Sequence, residues 1–315
     1  MTTQAQPRRP TAQLKVTSPA KINLYLRILG KRSDGYHELE TVMLPLDFGD
    51  QITLQLRKTG LALECDHPNL PTDDSNLALR AAKSLAHAFG IQNGAKITLK
   101  KRTPLAAGLG GGSSNAAVVL MGLNRLWKLD APCERLHELA ASLGSDINFF
   151  MAGGAALCRG RGEKIEPVAC KFTGAILLVN LGFGISTKWA YESWAKLSAE
   201  SRLTANPPEV SLLVRALAED DLAGVSQCLF NSLEAPSIRK FPVLELVKRA
   251  MRDGGAEGAL MSGSGATVFG LFATPKAAER SAQQVREQFG PRIWTQVTQF
   301  ASSPSTGGAT RRTAR

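Results

Sequence analysis

Glycine, serine and proline are concentrated in one segment of this 315-residue chain, Pro104-Leu105-Ala106-Ala107-Gly108-Leu109-Gly110-Gly111-Gly112-Ser113-Ser114, which runs through Asn115 into the apolar stretch 116–121. Glycines let the backbone approach a ligand closely, and a helix start behind them presents unpaired N–H groups and the positive end of the peptide dipole. That combination suits a phosphate chain. Ser113 and Ser114 stand where a hydroxyl caps the helix, touches phosphate or meets a magnesium ion. The pattern is not a Walker A motif, which requires Gly-Lys-Ser/Thr. Nor is it a dinucleotide fingerprint, because Ser113 takes the place of the third glycine. A flexible linker would carry the same glycines, but Leu105, Leu109 and the apolar helix that follows argue for an ordered loop.

Two further segments carry candidate acid–base chemistry. In Ser18-Pro19-Ala20-Lys21-Ile22-Asn23-Leu24 the lysine and asparagine are two apart, and on a strand they project from one face. A lysine there can lie over a carboxylate and a hydroxyl, although lysine is seldom buried unless paired. In Leu143-Gly144-Ser145-Asp146-Ile147-Asn148-Phe149-Phe150 one acid sits in an apolar run, where burial is costly without a charged partner. The alternative for Asp146 is a helix cap, with Ser145 as the rival capping residue. A fourth segment, Arg32-Ser33-Asp34-Gly35-Tyr36-His37, reads by itself as a turn at Asp34-Gly35 followed by two ring-bearing residues.

These segments resemble the GHMP kinases, whose nucleotide loop Pro-x-x-x-Gly-Leu-x-x-x-Ser-Ser is matched without a gap by residues 104–114. The resemblance implies an ATP site on an α+β fold, with an N-terminal half like domain 2 of ribosomal protein S5 and a ferredoxin-like C-terminal half. Residues 19–24, 32–37, 144–150 and 258–269 are most similar to the branch that phosphorylates CDP-linked methylerythritol in the non-mevalonate route to isoprenoid precursors. Homoserine- and mevalonate-type branches keep the glycine loop but should lack Asp-Gly-Tyr-His. Asn148 departs from that branch's usual proline, and Ala266 stands where proline is frequent. By the resemblance, Asp146 accepts or orients the acceptor hydroxyl, Lys21 pairs with Asp146 and stabilises transferred charge, and Asn23 holds substrate. Tyr36 and His37 would then recognise cytosine. Residues 104–114 would hold the triphosphate, and magnesium would accompany ATP with Ser114 as its expected protein contact.

The elements that must position these residues alternate between strand and helix without regular glycine-marked βαβ units, which points to α+β. Strands are expected at 14–16 and 22–29, broken at Ser18-Pro19, and at 41–46 and 51–56, separated by a turn at Phe48-Gly49-Asp50. A helix follows Ser75 with Leu77, Ala78, Ala81, Ala82, Leu85 and Phe89 at helical spacing, then a strand over 95–100. Beyond the loop come helices over 115–127 and 133–143 and strands at 155–158, 164–168 and Ala175–Asn180. The remainder reads as helices near 188–196, 208–218, 243–252 and 275–289, with strands at 259–261, 267–272 and 294–297. Four stretches are expected: a basic tail over 1–13, a nucleotide-binding half over 14–180, a second half over 181–300 and a basic tail over 301–315. A composition break near 200–208 is a further candidate boundary.

Of the residues, 43% are hydrophobic and 21% charged, an ordinary globular balance. No apolar run reaches the ~18 residues of a spanning helix, and the polar first residues lack a secretion signal, so a cytoplasmic enzyme with no membrane partner is expected. The net charge of +11 invites a non-catalytic, nucleic-acid-binding reading of an S5-like fold. Five of those charges, Arg8, Arg9, Arg311, Arg312 and Arg315, lie in the tails without interleaved aromatics, so no nucleic-acid partner is expected. The partner expected is a small anionic molecule, bound by a monomer or homodimer. Cys65, Cys133, Cys158, Cys170 and Cys228 form no Cys-x-x-Cys pair, and His67, His87 and His137 show no metal spacing. Trp189, after Gly184-Ile185-Ser186-Thr187, is the tryptophan placed to border a cytidine pocket.

Overall fold

A computed structural model describes residues 12–197 and 207–301. The expected basic tails and most of the composition break fall outside them, apart from residues 12–13 and 301 at the tail edges. In chain order the elements are β1 (Gln13–Lys31), β2 (His37–Arg57), β3 (Leu61–Cys65), α1 (Leu77–Ala88), β4 (Gly94–Lys100), α2 (Gly111–Trp127), α3 (Cys133–Leu143), α4 (Ile147–Ala152), β5 (Ala156–Gly160) and β6 (Lys164–Pro167). The second half adds β7 (Ala175–Asn180), α5 (Thr187–Ala195), α6 (Val210–Glu219), α7 (Leu222–Gln227), β8 (Phe230–Asn231), α8 (Glu234–Lys240), α9 (Val243–Asp253), β9 (Gly258–Met261), β10 (Val268–Phe272), α10 (Pro275–Phe289) and β11 (Trp294–Thr298).

The strands form two sheets. The larger has the order β3-β4-β2-β1-β8, with β5 paired to β2 and β6 to β5; the smaller is antiparallel, in the order β11-β7-β10-β9. The expected strand breaks do not occur, because β1 and β2 run through as one long antiparallel hairpin. Pro19 lies opposite Gly49, so a residue without an N–H meets one without a side chain. A Cβ at Gly49 would lie 1.9 Å from the Ser18 carbonyl oxygen. A register shift between Pro19 and Lys21 absorbs the irregularity as a bulge.

Helix α1 follows its apolar spacing: Ala78, Leu79, Ala81, Ala82 and Leu85 are buried, and the Asn76 side chain caps it by accepting from the Ala78 N–H. Helices α1 to α4 cover one face of the larger sheet. A second cluster joins the two sheets, with Ile22, Leu24, Val42 and Leu44 against Ile176, Leu178 and Phe269. Alternate residues of β7 belong to different clusters, Ile176 and Leu178 to this one and Ala175, Leu177 and Val179 to the cluster shared with α9 and α10. A strand buried on both faces reads as a continuous apolar run, which is why β7 was legible to the residue. β7, placed by sequence in the first half, pairs in the smaller sheet, while β8 of the second half adds to the larger sheet. The halves therefore interlock through the strands next to the site.

Candidate active site

The phosphate-type loop is ordered by contacts on three sides. Ala106, Gly108 and Gly110 have positive φ, and the helix begins at Gly111, four residues before the expected start. Lys21 N–H donates to the Leu109 carbonyl at 3.0 Å, and Thr267 N–H donates to the Ala107 carbonyl at 3.2 Å. The Ser262 hydroxyl donates to the Gly108 carbonyl at 3.0 Å. Gly108 is required twice over: its φ is 76°, and a Cβ there would lie 2.1 Å from the Ser262 carbonyl oxygen. The linker alternative is thereby excluded.

Beneath the loop lies a buried polar cluster that the sequence reading did not anticipate. The Asp50 carboxylate is fully buried and accepts from the Arg102 and Thr103 N–H groups, both at 2.9 Å, from the Thr103 hydroxyl at 2.7 Å, and from Lys101. This ties the strand leading into the loop to β2 and sets the Lys101 ammonium beside the first turn of α2. A cation at a helix N-terminus opposes the helix dipole unless an anion stands between them. Nothing in the spacing of Asp50 and Lys101 signals the pair, because β2 and the end of β4 meet only through sheet register.

Lys21 and Asn23 share a face, as their spacing predicts: Lys21 Nζ donates to Asn23 Oδ1 at 2.5 Å, and Asn23 Nδ2 donates to the Thr41 hydroxyl at 2.8 Å. Lys21 Nζ also stands 3.7 Å from Asp146 Oδ2, with the lysine side chain 5% and the aspartate 36% exposed. Asp146 occupies the N-cap position of α4, yet its side chain makes no capping hydrogen bond. The carboxylate turns to Lys21 instead, which decides between cap and ion pair. Burial pushes the Lys21 ammonium below its usual range, and the Asp146 carboxylate opposes that shift. Behind the pair, burial and the Asp146 charge push the Cys158 thiol up to about 12, so it sits there as an uncharged packing group.

A cavity of about 680 Å³ brings together Lys21, Asn23, Asp146, Lys101 and the loop from Pro104 through Ser113. Ser114 is not at that surface. It is fully buried, and its hydroxyl accepts from Ser18 at 2.7 Å, so the expected magnesium contact faces the core while Ser113 faces the cavity. Successive residues of a helix point about 100° apart, so adjacent serines fall on different faces, which no motif reveals. Among the described residues no three His, Cys, Asp or Glu side chains gather as a metal cage.

Tyr36 and His37 lie off the cavity wall. Asp34 and Gly35 form the expected turn, and Tyr36 is 55% exposed with the Arg161 guanidinium 4.7 Å from its ring centroid. His37 Nε2 is buried without a hydrogen-bond partner, and its ring stacks on Tyr191 at 5.0 Å. Burial, with Lys31 nearby, lowers the His37 pKa, favouring a neutral ring. Tyr191 does reach the cavity, as do Ile185, Ser186 and Thr187 before it. Trp189 instead packs its ring against Phe241 and under the Lys240 ammonium. The segment therefore lines the cavity, and the aromatic that reaches it is Tyr191, two residues beyond Trp189.

The chain matches the family descriptions "GHMP kinases N terminal domain" over residues 76–154 and "GHMP kinases C terminal" over 213–291. It is 42% identical over 286 residues to a 4-diphosphocytidyl-2-C-methyl-D-erythritol kinase of Synechococcus sp. (strain JA-3-3Ab), covering 90% of this chain and 92% of that one. The Bacillus pumilus (strain SAFR-032) protein of the same name is 41% identical over 264 residues, 84% of this chain and 89% of its own. A crystal structure of 4-(cytidine 5'-diphospho)-2C-methyl-D-erythritol kinase superposes with a TM-score of 0.77 at 36% identity, covering 91% of this chain and all of the other. Homoserine kinase from Cytophaga hutchinsonii gives a TM-score of 0.76 over 96% of this chain and 99% of its own, but at 21% identity that likeness shows shared fold alone.

Proposed function

The chain belongs to the 4-diphosphocytidyl-2-C-methyl-D-erythritol kinases of the GHMP superfamily, and from that premise we infer how its own residues carry the reaction. It is an ATP-dependent kinase of isoprenoid precursor synthesis, acting on a hydroxyl of the CDP-linked polyol. The observation that carries the assignment of roles is the Lys21–Asp146 pair, 3.7 Å apart and facing the same cavity as the glycine loop.

The acceptor oxygen attacks the γ-phosphorus, the bond to the β-phosphate oxygen breaks, and ADP leaves. Such a transfer asks the protein for positioning and charge neutralisation. Asp146 takes the hydroxyl proton. Lys21, anchored by Asn23 and little exposed, faces the transferred group with a charge that solvent screens weakly. Asn23 acts chiefly by fixing Lys21, having committed its amide to Lys21 and Thr41. The loop N–H groups and the start of α2 hold the triphosphate. Tyr191 is the aromatic that lines the cavity and offers cytosine a face, with the His37 ring stacked behind it.

Magnesium fits this site as a companion of the nucleotide rather than as a resident ion. It needs only one or two protein oxygens when phosphates and water supply the rest. Ser113 and Asp146 are the cavity-facing donors that would hold it, and bound there it would neutralise triphosphate charge. All the residues named come from one chain, so a monomer suffices for the chemistry. The five free cysteines and the absence of a membrane-crossing helix among the described residues support a cytoplasmic setting.

The test is ADP release from Mg-ATP with 4-diphosphocytidyl-2-C-methyl-D-erythritol, run beside homoserine and mevalonate. Turnover with the first acceptor, lost in Asp146→Ala, is expected. Turnover with another acceptor alone, or an unimpaired Asp146→Ala enzyme, would refute the assignment.

A further inference from the structure

The loop between β9 and β10 clamps the phosphate loop, and its own position is set from elsewhere. Gly263 sits in the corner of the site: a Cβ built on it would lie 3.2 Å from Asn23 Oδ1 and 3.4 Å from Lys21 Nζ. Its neighbours hold the nucleotide loop through the Ser262 hydroxyl and the Thr267 N–H. Within the loop, backbone bonds from Ser262 to Thr267 and from Gly265 to Ser262 close the turn. None of these bonds says where the turn as a whole must stand relative to β1.

Asn231 supplies that reference. It is 6% exposed, and its Nδ2 donates to two carbonyls of the loop, Met261 at 2.7 Å and Gly263 at 2.8 Å. Its Oδ1 accepts from the Leu233 N–H at 2.9 Å. Both amide hydrogens are therefore spent on the two ends of one short turn, a geometry that aspartate, leucine or alanine cannot reproduce. The element carrying Asn231 is fixed to the catalytic strand. β8 pairs in parallel with Tyr25 and Leu26 of β1, Ser232 N–H donates to the Leu26 carbonyl at 2.8 Å, and Ile28 N–H donates to the Ser232 hydroxyl at 3.1 Å. Glu234 completes the brace, accepting from the Met261 N–H at 2.8 Å while Lys248 neutralises it at 2.7 Å.

We infer that Asn231 is a positioning residue for phosphoryl transfer: by holding the Met261 and Gly263 carbonyls it keeps the 262–265 backbone seated against Lys21, Asn23 and the phosphate loop, where the γ-phosphoryl group of a nucleoside triphosphate must lie. It touches no substrate itself. This inference rests on the phosphotransfer reading above.

The test uses the full chain with Asn231→Ala and the near-isosteric Asn231→Asp, which keeps the acceptor for Leu233 but loses both donors. Val247→Ala, a fully buried truncation on α9 with no side-chain hydrogen bond to lose, is the structural control. Misplacing reacting groups by about 1 Å costs ~100-fold in rate, so kcat should fall by that order in both Asn231 variants. The KM for ATP should move by less than about 3-fold, as fits an interaction realised at the transition state. The control, even at a matched loss of melting temperature, should keep kcat within about 3-fold. Asn231 variants that retain the parent kcat overturn the inference. So does a control that loses kcat equally, or Asn231 variants that do not fold, since these place the residue in general stability. An inactive parent chain would instead sink the phosphotransfer reading itself.

Discussion

Replacing Lys21 by methionine tests the catalytic role proposed for the buried cation separately from any role in stability. The methionine occupies similar space along the strand but removes the charge. A unit charge at the 3.7 Å separation now seen between Lys21 and Asp146 is worth about 4 kcal/mol at an effective dielectric of about 20. With only 5% of the lysine side chain exposed, solvent discounts that little. If a phosphoryl oxygen takes a comparable place, losing the cation lowers kcat by ~10³-fold, since each ~1.4 kcal/mol is a factor of ten. Stability responds differently. Burial holds the Lys21 charge at a net disadvantage even with Asp146 beside it, so the substitution relieves a cost. Against this, buried Asn23 Oδ1 loses its donor, a loss of ~1–3 kcal/mol. The two oppose each other, and the melting temperature should stay within about 5 °C of the parent. Steady-state ADP release and a thermal melt on the same preparation check both. A Lys21→Met enzyme within about 10-fold of parental kcat would refute the reasoning, because no cation of that strength could then be acting at the transition state.

The same lysine predicts opposed pH responses. Its folded pKa lies below the usual 10.5, so between the two values the unfolded chain binds more protons and stability from this group rises with pH, while the ammonium proposed to act in turnover disappears. The kcat/KM profile, which reports the free enzyme, should therefore fall on its alkaline limb below the range of an ordinary lysine, and the pH slope of the melting temperature there should be shallower in Lys21→Met. An alkaline limb at the usual lysine position would contradict this. Gly108→Ala should destabilise the chain by more than about 2 kcal/mol, combining left-handed strain with a backbone clash at 2.1 Å, and should abolish ATP binding measured by calorimetry. Unchanged nucleotide affinity in that variant would mean the Gly108–Ser262 contact is not part of the site.

What could be read from the sequence alone was what local chemistry dictates. Apolar residues at helical spacing placed α1, and the doubly apolar run placed β7, because each pattern reports burial without reference to any partner. Glycine and proline in residues 104–114 announced an ordered loop closing on a helix start, because positive φ and close backbone approach are local demands. The two-residue spacing of Lys21 and Asn23 put them on one face of β1, as it must on any strand. Tertiary structure decided the rest. Whether Asp146 capped α4 or met Lys21 depended on where β1 passes 125 positions away in sequence. Whether Ser113 or Ser114 faced the cavity depended on the Ser18 hydroxyl waiting below. Pro19 and Gly49 looked like strand breaks until sheet register set one opposite the other. Asp50, Lys101, Tyr191 and Asn231 carry no local signal at all, because a hydrogen bond between distant segments has no period in sequence. Their roles exist only once the two sheets have joined and brought their loops to a common edge.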